Sequence, residues 1–328
     1  MKVCIYGAGA IGGWIGARLA ARGARISAVA RGATLAALRS QGLRLQSEGE
    51  DIVAQVDASE QAGDLGVQDL VVVAVKAPAM AAVAAGIGPL LGPDTLVLTA
   101  MNGVPWWFFE GFGALAGTRL KAVDPDGSIA RAIPAHHILG CVVHASCSLD
   151  GPGHVRHHFG NGLIVGEPSG QSTLRAQALV DNLGAAGFEA TLSAQIQKDI
   201  WYKLWGNMTV NPVSALTGAT TDLIMDDPLV RGFISQVMLE AREIGARIGI
   251  PIAQQPEDRH AVTRRLGAFK TSMLQDVEAG RPVELDALVT VVQEIGRLTQ
   301  VPTPCTDALL GLARLHARTR GLYGAAPL

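Results

Sequence analysis

In the stretch Trp201-Tyr202-Lys203-Leu204-Trp205-Gly206-Asn207-Met208-Thr209-Val210-Asn211-Pro212, Lys203, Asn207 and Asn211 stand at i, i+4 and i+8. On an α-helix that spacing places them on one face, drifting slowly around the axis. Their neighbours are apolar or aromatic, so the polar stripe is expected to be set into a buried helix, which Pro212 should end or kink. A desolvated lysine has a lowered pKa suited to proton transfer, and buried amides need partners. The same spacing also describes amides satisfied within the core and a lysine whose stem is buried while its ammonium reaches water. Spacing alone leaves both readings open.

A second chemical signal opens the chain. Gly7-Ala8-Gly9-Ala10-Ile11-Gly12 follows the apolar run Val3-Cys4-Ile5-Tyr6 and precedes a helical stretch with Trp14, Ile15 and Leu19 on one face, ending near Gly23. In a strand-loop-helix unit the first glycine permits the tight turn, the second lets a pyrophosphate approach the backbone, and the third lets helix and strand pack closely. The helix N-terminus then offers unpaired N–H groups to phosphate. NAD-binding proteins usually carry Asp or Glu about 20 residues on, to accept from the ribose 2′-hydroxyl. Here Arg25-Ile26-Ser27-Ala28-Val29-Ala30 reads as the next strand, with Arg31 at its end and no carboxylate. A guanidinium can grip a 2′-phosphate with two hydrogen bonds, so the expected cofactor is NADP(H). Other candidates are weaker: Ser272 and Asp276 in Thr271-Ser272-Met273-Leu274-Gln275-Asp276 read first as helix-cap residues, and Glu284 after Pro282 as a first-turn carboxylate.

These residues need elements to position them. Leu70-Val71-Val72-Val73-Ala74-Val75 and Thr95-Leu96-Val97-Leu98-Thr99 have the continuous apolar texture of parallel strands covered on both faces. Strand, helix, strand in this order predicts an α/β fold, a Rossmann-type doubly wound sheet. Cys141-Val142-Val143-His144, Gly151-Pro152-Gly153 and Gly162-Leu163-Ile164-Val165 predict antiparallel strands that extend the sheet. After about Ser193 the sequence reads as helical, with stretches from Asp199, Leu229, Arg259 and Leu285. The expected organisation is a cofactor domain over 1–195 and an all-helical substrate and catalytic domain over 196–328, with the cleft between them as the default ligand site.

Composition narrows the function classes. At 328 residues, with 48% hydrophobic and 17% charged, the chain suits an ordered globular protein of about two domains. A net charge of -2 provides no global pull toward nucleic acid or an anionic membrane. Lys76, Pro78 and Pro89 interrupt the most apolar region, so no membrane span is expected. Cys4, Cys141, Cys147 and Cys305 contain no Cys-x-x-Cys pair and read as free thiols in a reducing compartment; the expected location is cytoplasmic. His154, His157 and His158 lack Cys or carboxylate companions and read as a solvated hairpin, not a metal site. There is no Tyr-x-x-x-Lys and no phosphate-loop NTPase motif.

Taken together, Gly7 to Gly12, Arg31, Val75-Lys76, Asn102-Gly103, the Lys203/Asn207/Asn211-Pro212 helix, Ser272 to Asp276 and Glu284 make the chain similar to the ketopantoate reductase (2-dehydropantoate 2-reductase) family over nearly its whole length. That resemblance implies NADPH-dependent reduction of a 2-keto acid, 2-dehydropantoate foremost, to a 2-hydroxy acid in pantothenate biosynthesis. It makes Lys203 the proton donor and Glu284 its catalytic companion. It assigns Asn102, Lys203, Asn207, Asn211 and Ser272 to the substrate. It assigns Gly7, Ala8, Gly9, Ala10, Ile11, Gly12, Arg31, Lys76, Asn102, Ala145 and Glu284 to the cofactor, with no metal. A homodimer is compatible with it. Two readings compete: another branched 2-keto acid as substrate, or a non-catalytic NADPH-binding sensor on the same fold. Trp106-Trp107-Phe108-Phe109 and the stretch 121–137, with a turn at Asp124-Pro125-Asp126-Gly127, stand out beside the family pattern. The aromatic run would either reshape the cleft or pack as core.

Overall fold

The first apolar run forms β1 (Lys2–Tyr6), buried from Val3 onward. The structure, a computed structural model, describes residues 1–47 and 49–324. The chain divides into two compact units, one of Met1–Met101, Glu110–Phe112 and Gly127–Asp199, the other of Asn102–Phe109, Gly113–Asp126 and the chain from Ile200 on.

The first unit is built on a mixed sheet. Its further strands are β2 (Arg25–Val29), β3 (Leu43–Ser47), β4 (Glu50–Ala54), β5 (Asp57–Ser59), β6 (Leu70–Val73), β7 (Leu96–Thr99), β8 (Ile138–Gly151), β9 (His154–Gly166) and β10 (Glu189–Leu192). They stand in the order β4-β3-β9-β8-β7-β6-β1-β2-β5, with β10 also pairing β9. From β5 to β8 every neighbouring pair is parallel. From β1 the chain passes to β2, then to the β3–β4 pair beside β9 at the other edge, returns to β5 beside β2, and then forms β6, β7 and β8, so the order reverses between β1 and β6. That reversal is where open α/β sheets bind ligands.

Helices α1 (Ala10–Ala21), α2 (Gly32–Gln41), α3 (Met80–Gly86), α4 (Ser128–Ala132) and α5 (Leu174–Ala185) complete this unit. The α/β reading of the parallel strands and of the β8–β9 hairpin, which turns through Pro152 and Gly153, agrees with the structure. The antiparallel β3–β4 pair and the short β5 and β10 escape sequence reading. β4, β5 and β10 are brief and largely exposed edge elements, so little apolar periodicity marks them, and β3, with only Leu43 and Leu45 buried, is too short to stand out.

The histidines require a correction. His157 is not a solvated hairpin residue: its ring stacks on buried Trp14 with centroids 5.5 Å apart and planes 3° from parallel. Its ring nitrogens lie 3.0 Å from Ser47 Oγ and 2.6 Å from the Gly160 carbonyl oxygen. Among the described residues no group of three or more His, Cys, Asp and Glu is placed to hold a metal, and the four cysteines are free thiols. No described helix is long and apolar enough to cross a membrane.

The second unit is helical: α6 (Ile196–Thr217, entering from the first unit), α7 (Thr221–Asp226), α8 (Pro228–Arg247), α9 (Pro256–Arg264), α10 (Ser272–Glu278), a π-helical turn (Asp286–Thr290), α11 (Val291–Thr299) and α12 (Pro304–Thr319). Pro212 does not end α6, which runs through it to Thr217. Residues 208–215 are all buried, and that packing outweighs the backbone bond a proline forfeits.

Two segments from the first half of the chain fold with these helices. In one, Trp106, Trp107, Phe108 and Phe109 are all buried. Phe108 meets Phe109 edge-on at 5.2 Å and Trp201 of α6 at 6.1 Å, so the aromatic run is core. In the other, the Glu294 carboxylate of α11 accepts from the backbone N–H groups of Lys121 and Ala122, both at 2.8 Å. Replacing the fully buried Phe108 by Ala should therefore cost about 3–5 kcal/mol of stability. Urea denaturation followed by tryptophan fluorescence measures it, and a loss below about 1 kcal/mol would contradict a core role.

Candidate active site

The loop after β1 runs directly beside the end of β6. Gly7 has φ +100°, and a Cβ there would come within 2.7 Å of Val75 Cγ1. Only glycine suits both the angle and the contact. A Cβ on Gly12 would press into the Gly7 carbonyl oxygen and stand 2.9 Å from Ile5 Cγ2, so that glycine lets α1 lie against β1. Gly9 differs from both, because nothing lies within 4 Å of where its Cβ would stand. It is the N-cap of α1 and provides no side-chain cap, so the first N–H groups of that helix have no intrahelical partner. Open space over a bare helix N-terminus fits a pyrophosphate.

Gly7, Ala8 and Gly9 share a cavity of about 290 Å³ with Tyr6, Arg31, Thr34, Val75, Ala79, Ala82, Val83 and Leu149. Arg31 is the one charged residue of this lining; it is exposed and N-caps α2. No carboxylate lines the cavity. A guanidinium beside the N-terminus of α2, with apolar walls, suits an adenosine bearing a 2′-phosphate and gives a ribose diol no acceptor. Burial pushes the Tyr6 hydroxyl above its ordinary pKa, and the Arg31 charge partly offsets this.

Several expected residues lie elsewhere in the first unit. Ala10, Ile11 and Gly12 form the first turn of α1. Lys76 is half-buried where the chain leaves β6 and N-caps a short 3-10 turn, Ala77–Ala79. Ala145 occupies a bulge in β8 between His144 and Ser146 and packs against the first unit's core, away from the cavity wall. Leu149 escaped sequence reading although it is 47% exposed in the cavity lining. An apolar residue between Ser148 and Asp150 was its only signal.

In the second unit, α6 is held by its aromatic face. The indole N–H groups of Trp201 and Trp205 donate to the carbonyl oxygens of Ala241 (3.2 Å) and Met238 (2.7 Å) on α8. At roughly 100° per residue, Lys203, Asn207 and Asn211 stand on the side of α6 opposite these indoles. Lys203 and Asn207 are half-buried and Asn211 is buried, as a polar stripe in an apolar helix requires. Thr271 takes the α10 cap, its hydroxyl accepting from the Leu274 N–H at 3.2 Å. Ser272, expected as a cap, is instead exposed at the first helical position. Buried Asp276 accepts from Arg281 Nε at 3.1 Å, a structural role at the end of α10.

Asn102 and Glu284, far apart in sequence, are brought into one neighbourhood. Glu284 is buried two residues before the π-helical turn. The widened turn presents the Ala287 carbonyl oxygen, which accepts from the Val104 N–H at 2.9 Å. Gly103 between Asn102 and Val104 has φ +83°, and a Cβ there would meet the Ala287 backbone at its oxygen and, at 2.7 Å, its carbonyl carbon. Single π-turns inside helices recur at functional sites. Downstream, Asp286 accepts from Tyr323 (2.5 Å) and Thr290 (2.9 Å), and burial together with the Asp286 bond pushes the Tyr323 hydroxyl up to about 12.

Comparison with known proteins places the whole chain. Residues 3–170 match the family model "Ketopantoate reductase PanE/ApbA", and residues 195–317 match "Ketopantoate reductase PanE/ApbA C terminal". A 2-dehydropantoate 2-reductase from Mesorhizobium japonicum is 46% identical over 98% of this chain and 100% of its own. A crystal structure described as a candidate ketopantoate reductase from Ralstonia solanacearum MolK2 has 59% identity and a TM-score of 0.95, covering 98% of this chain and 99% of that one. The 2-dehydropantoate 2-reductase of Geobacter metallireducens GS-15 superposes with a TM-score of 0.84 at 25% identity, over 96% and 99%.

Gly103→Ala tests the link between the Asn102 loop and the π-turn. Positive φ and a clash with backbone together should cost about 1–3 kcal/mol, read as a lowered melting temperature. An unchanged melting temperature would show that the loop is not held as described.

Proposed function

The chain belongs to the ketopantoate reductase family, and we propose that it reduces 2-dehydropantoate to pantoate with NADPH. The cofactor side of this reading rests on the first unit, and the substrate and proton donor on the second, helical unit, which takes in 102–109 and 113–126 as well as the chain from Ile200 on. The observation that carries the chemistry is the polar face of α6, turned away from the Trp201 and Trp205 bonds to α8. Gly7, Ala8, Gly9, Ala10, Ile11 and Gly12 would hold the pyrophosphate, and Arg31 with the N-terminus of α2 the 2′-phosphate. Lys76, where the chain leaves β6, would complete the cofactor side, while Ala145 lies outside the cavity lining.

When bound, NADPH supplies the hydride that reduces the keto carbon. Reduction puts negative charge on the carbonyl oxygen, and the Lys203 ammonium would stabilise that charge and give the oxygen a proton from Nζ. The amides of Asn207 and Asn211 and the Ser272 hydroxyl are neutral donors that orient the substrate without competing as acids. Glu284 would favour the protonated form of Lys203 and orient it, and Asn102, on the loop bonded to the π-turn, would complete the substrate and cofactor contacts.

Lys203→Ala is expected to lower kcat by about 10²–10⁴-fold, the usual worth of a positioned general acid, while NADPH affinity stays within about twofold. Unchanged kcat would sink the assignment. Arg31→Ala should cut the preference for NADPH over NADH by about 10–100-fold, the worth of a charge-assisted hydrogen bond; equal preference in both proteins would remove Arg31 from the phosphate site. Loss of NADPH absorbance with a panel of branched 2-keto acids tests the substrate. No oxidation with any of them would leave a cofactor-binding sensor, and a stronger response to another acid would keep the chemistry and change the substrate.

A further inference from the structure

Arg259 of α9 is half-buried, and its side chain forms no hydrogen bond or ion pair among the described residues; its Nε is shielded from solvent and unpaired. Its guanidinium lies over the Tyr202 ring, 5.7 Å from the centroid. It also rests directly on the backbone of α6: a Cβ on Gly206 would stand 2.5 Å from Nε, 2.7 Å from Nη2 and 3.0 Å from Cζ. Gly206 is therefore the gap in the helix surface that the guanidinium fills. It lies one turn from Lys203 and next to Asn207, on the flank of the polar stripe. Burial also pushes the Arg259 pKa below its ordinary value.

A half-buried guanidinium without an anion bears a desolvation cost that a bound carboxylate offsets. Only Nε is sealed off, so the Nη groups can be reached from solvent. Every 2-keto acid carries a carboxylate next to the carbonyl that is reduced. Asn207, Asn211 and Ser272 are neutral, and the Lys203 charge is needed at the carbonyl oxygen. A second, fork-shaped cation would hold the carboxylate by paired hydrogen bonds and so fix which end of the substrate faces Lys203.

We propose that Arg259, stacked on Tyr202 and seated in the gap at Gly206, is the residue that recognises the substrate's carboxylate. This rests on the reading of the second unit as the 2-keto acid site. Arg259→Met keeps the stem and removes the charge. It should raise KM for 2-dehydropantoate about 10–100-fold, with kcat within about threefold and KM for NADPH unchanged. Arg259→Lys should restore little, because an ammonium lacks the fork. Gly206→Ala should behave like Arg259→Met without lowering the melting temperature: alanine favours the helix, and the displaced atoms are the mobile end of a side chain.

The deciding measurement is calorimetric binding of pantoate and of its carboxamide to wild type and to Arg259→Met in the presence of NADP⁺, beside turnover of 2-dehydropantoate. Preference for the acid in wild type, lost in Arg259→Met, supports the assignment. Preference kept in Arg259→Met, or absent from wild type, overturns it whether or not the protein turns over. A lost preference with no NADPH oxidation in wild type leaves Arg259 as the carboxylate site and instead removes the reductase reading.

Discussion

A helix that carries a lysine and two asparagines through an apolar unit has to be fixed in rotation as well as in position. In α6 this is done by two indole N–H groups, spaced one turn apart, that reach the carbonyl oxygens of Met238 and Ala241 on α8. Both indoles are buried, and leaving either N–H unpaired would cost about 1–3 kcal/mol, more than most small rotations of the helix could recover. With that face committed, the opposite one has to present Lys203, Asn207 and Asn211. The aromatic run Trp106 to Phe109 supports the arrangement by packing Phe108 against Trp201. An apolar interface thus decides where the polar chemistry faces.

The first unit meets a different constraint, the closeness of backbone to backbone. The strand order reverses between the neighbours β1 and β6, and the loop leaving β1 must pass Val75 and turn into α1 within a few residues. Gly7 and Gly12 satisfy contacts that a side chain would block, whereas Gly9 leaves space unfilled. The three glycines of one motif therefore do two kinds of work. Two of them let the protein pack against itself, and the third keeps room over the helix N-terminus. Arg31 then adds a cation to a cavity lined otherwise by uncharged residues.

The second unit is assembled from distant pieces of chain. Asn102–Phe109 and Gly113–Asp126 come from between the strands of the first unit, yet their partners are α6, the π-turn and α11. The Val104 N–H bond to the Ala287 carbonyl oxygen places Asn102 and Glu284 in one neighbourhood. That carbonyl sits in the π-helical turn, and single π turns recur at functional sites.

Much of this was legible in the residues alone. Continuous apolar runs, a glycine loop between strand and helix, and a basic residue where a carboxylate is usual determined the α/β class, the doubly wound core and the type of cofactor, because each signal depends on neighbours in sequence. The 3.6-residue period likewise placed Lys203, Asn207 and Asn211 on one face. Tertiary structure decided what the period could not, namely which way that face turns and that α6 continues through Pro212. It turned the aromatic run into core, put His157 against Trp14, gave the α10 cap to Thr271 and left Ser272 exposed. It also set Arg259 against Gly206, across more than fifty residues of intervening chain. Such contacts leave no mark in local composition, since their energy comes from surfaces that meet only when the chain has folded.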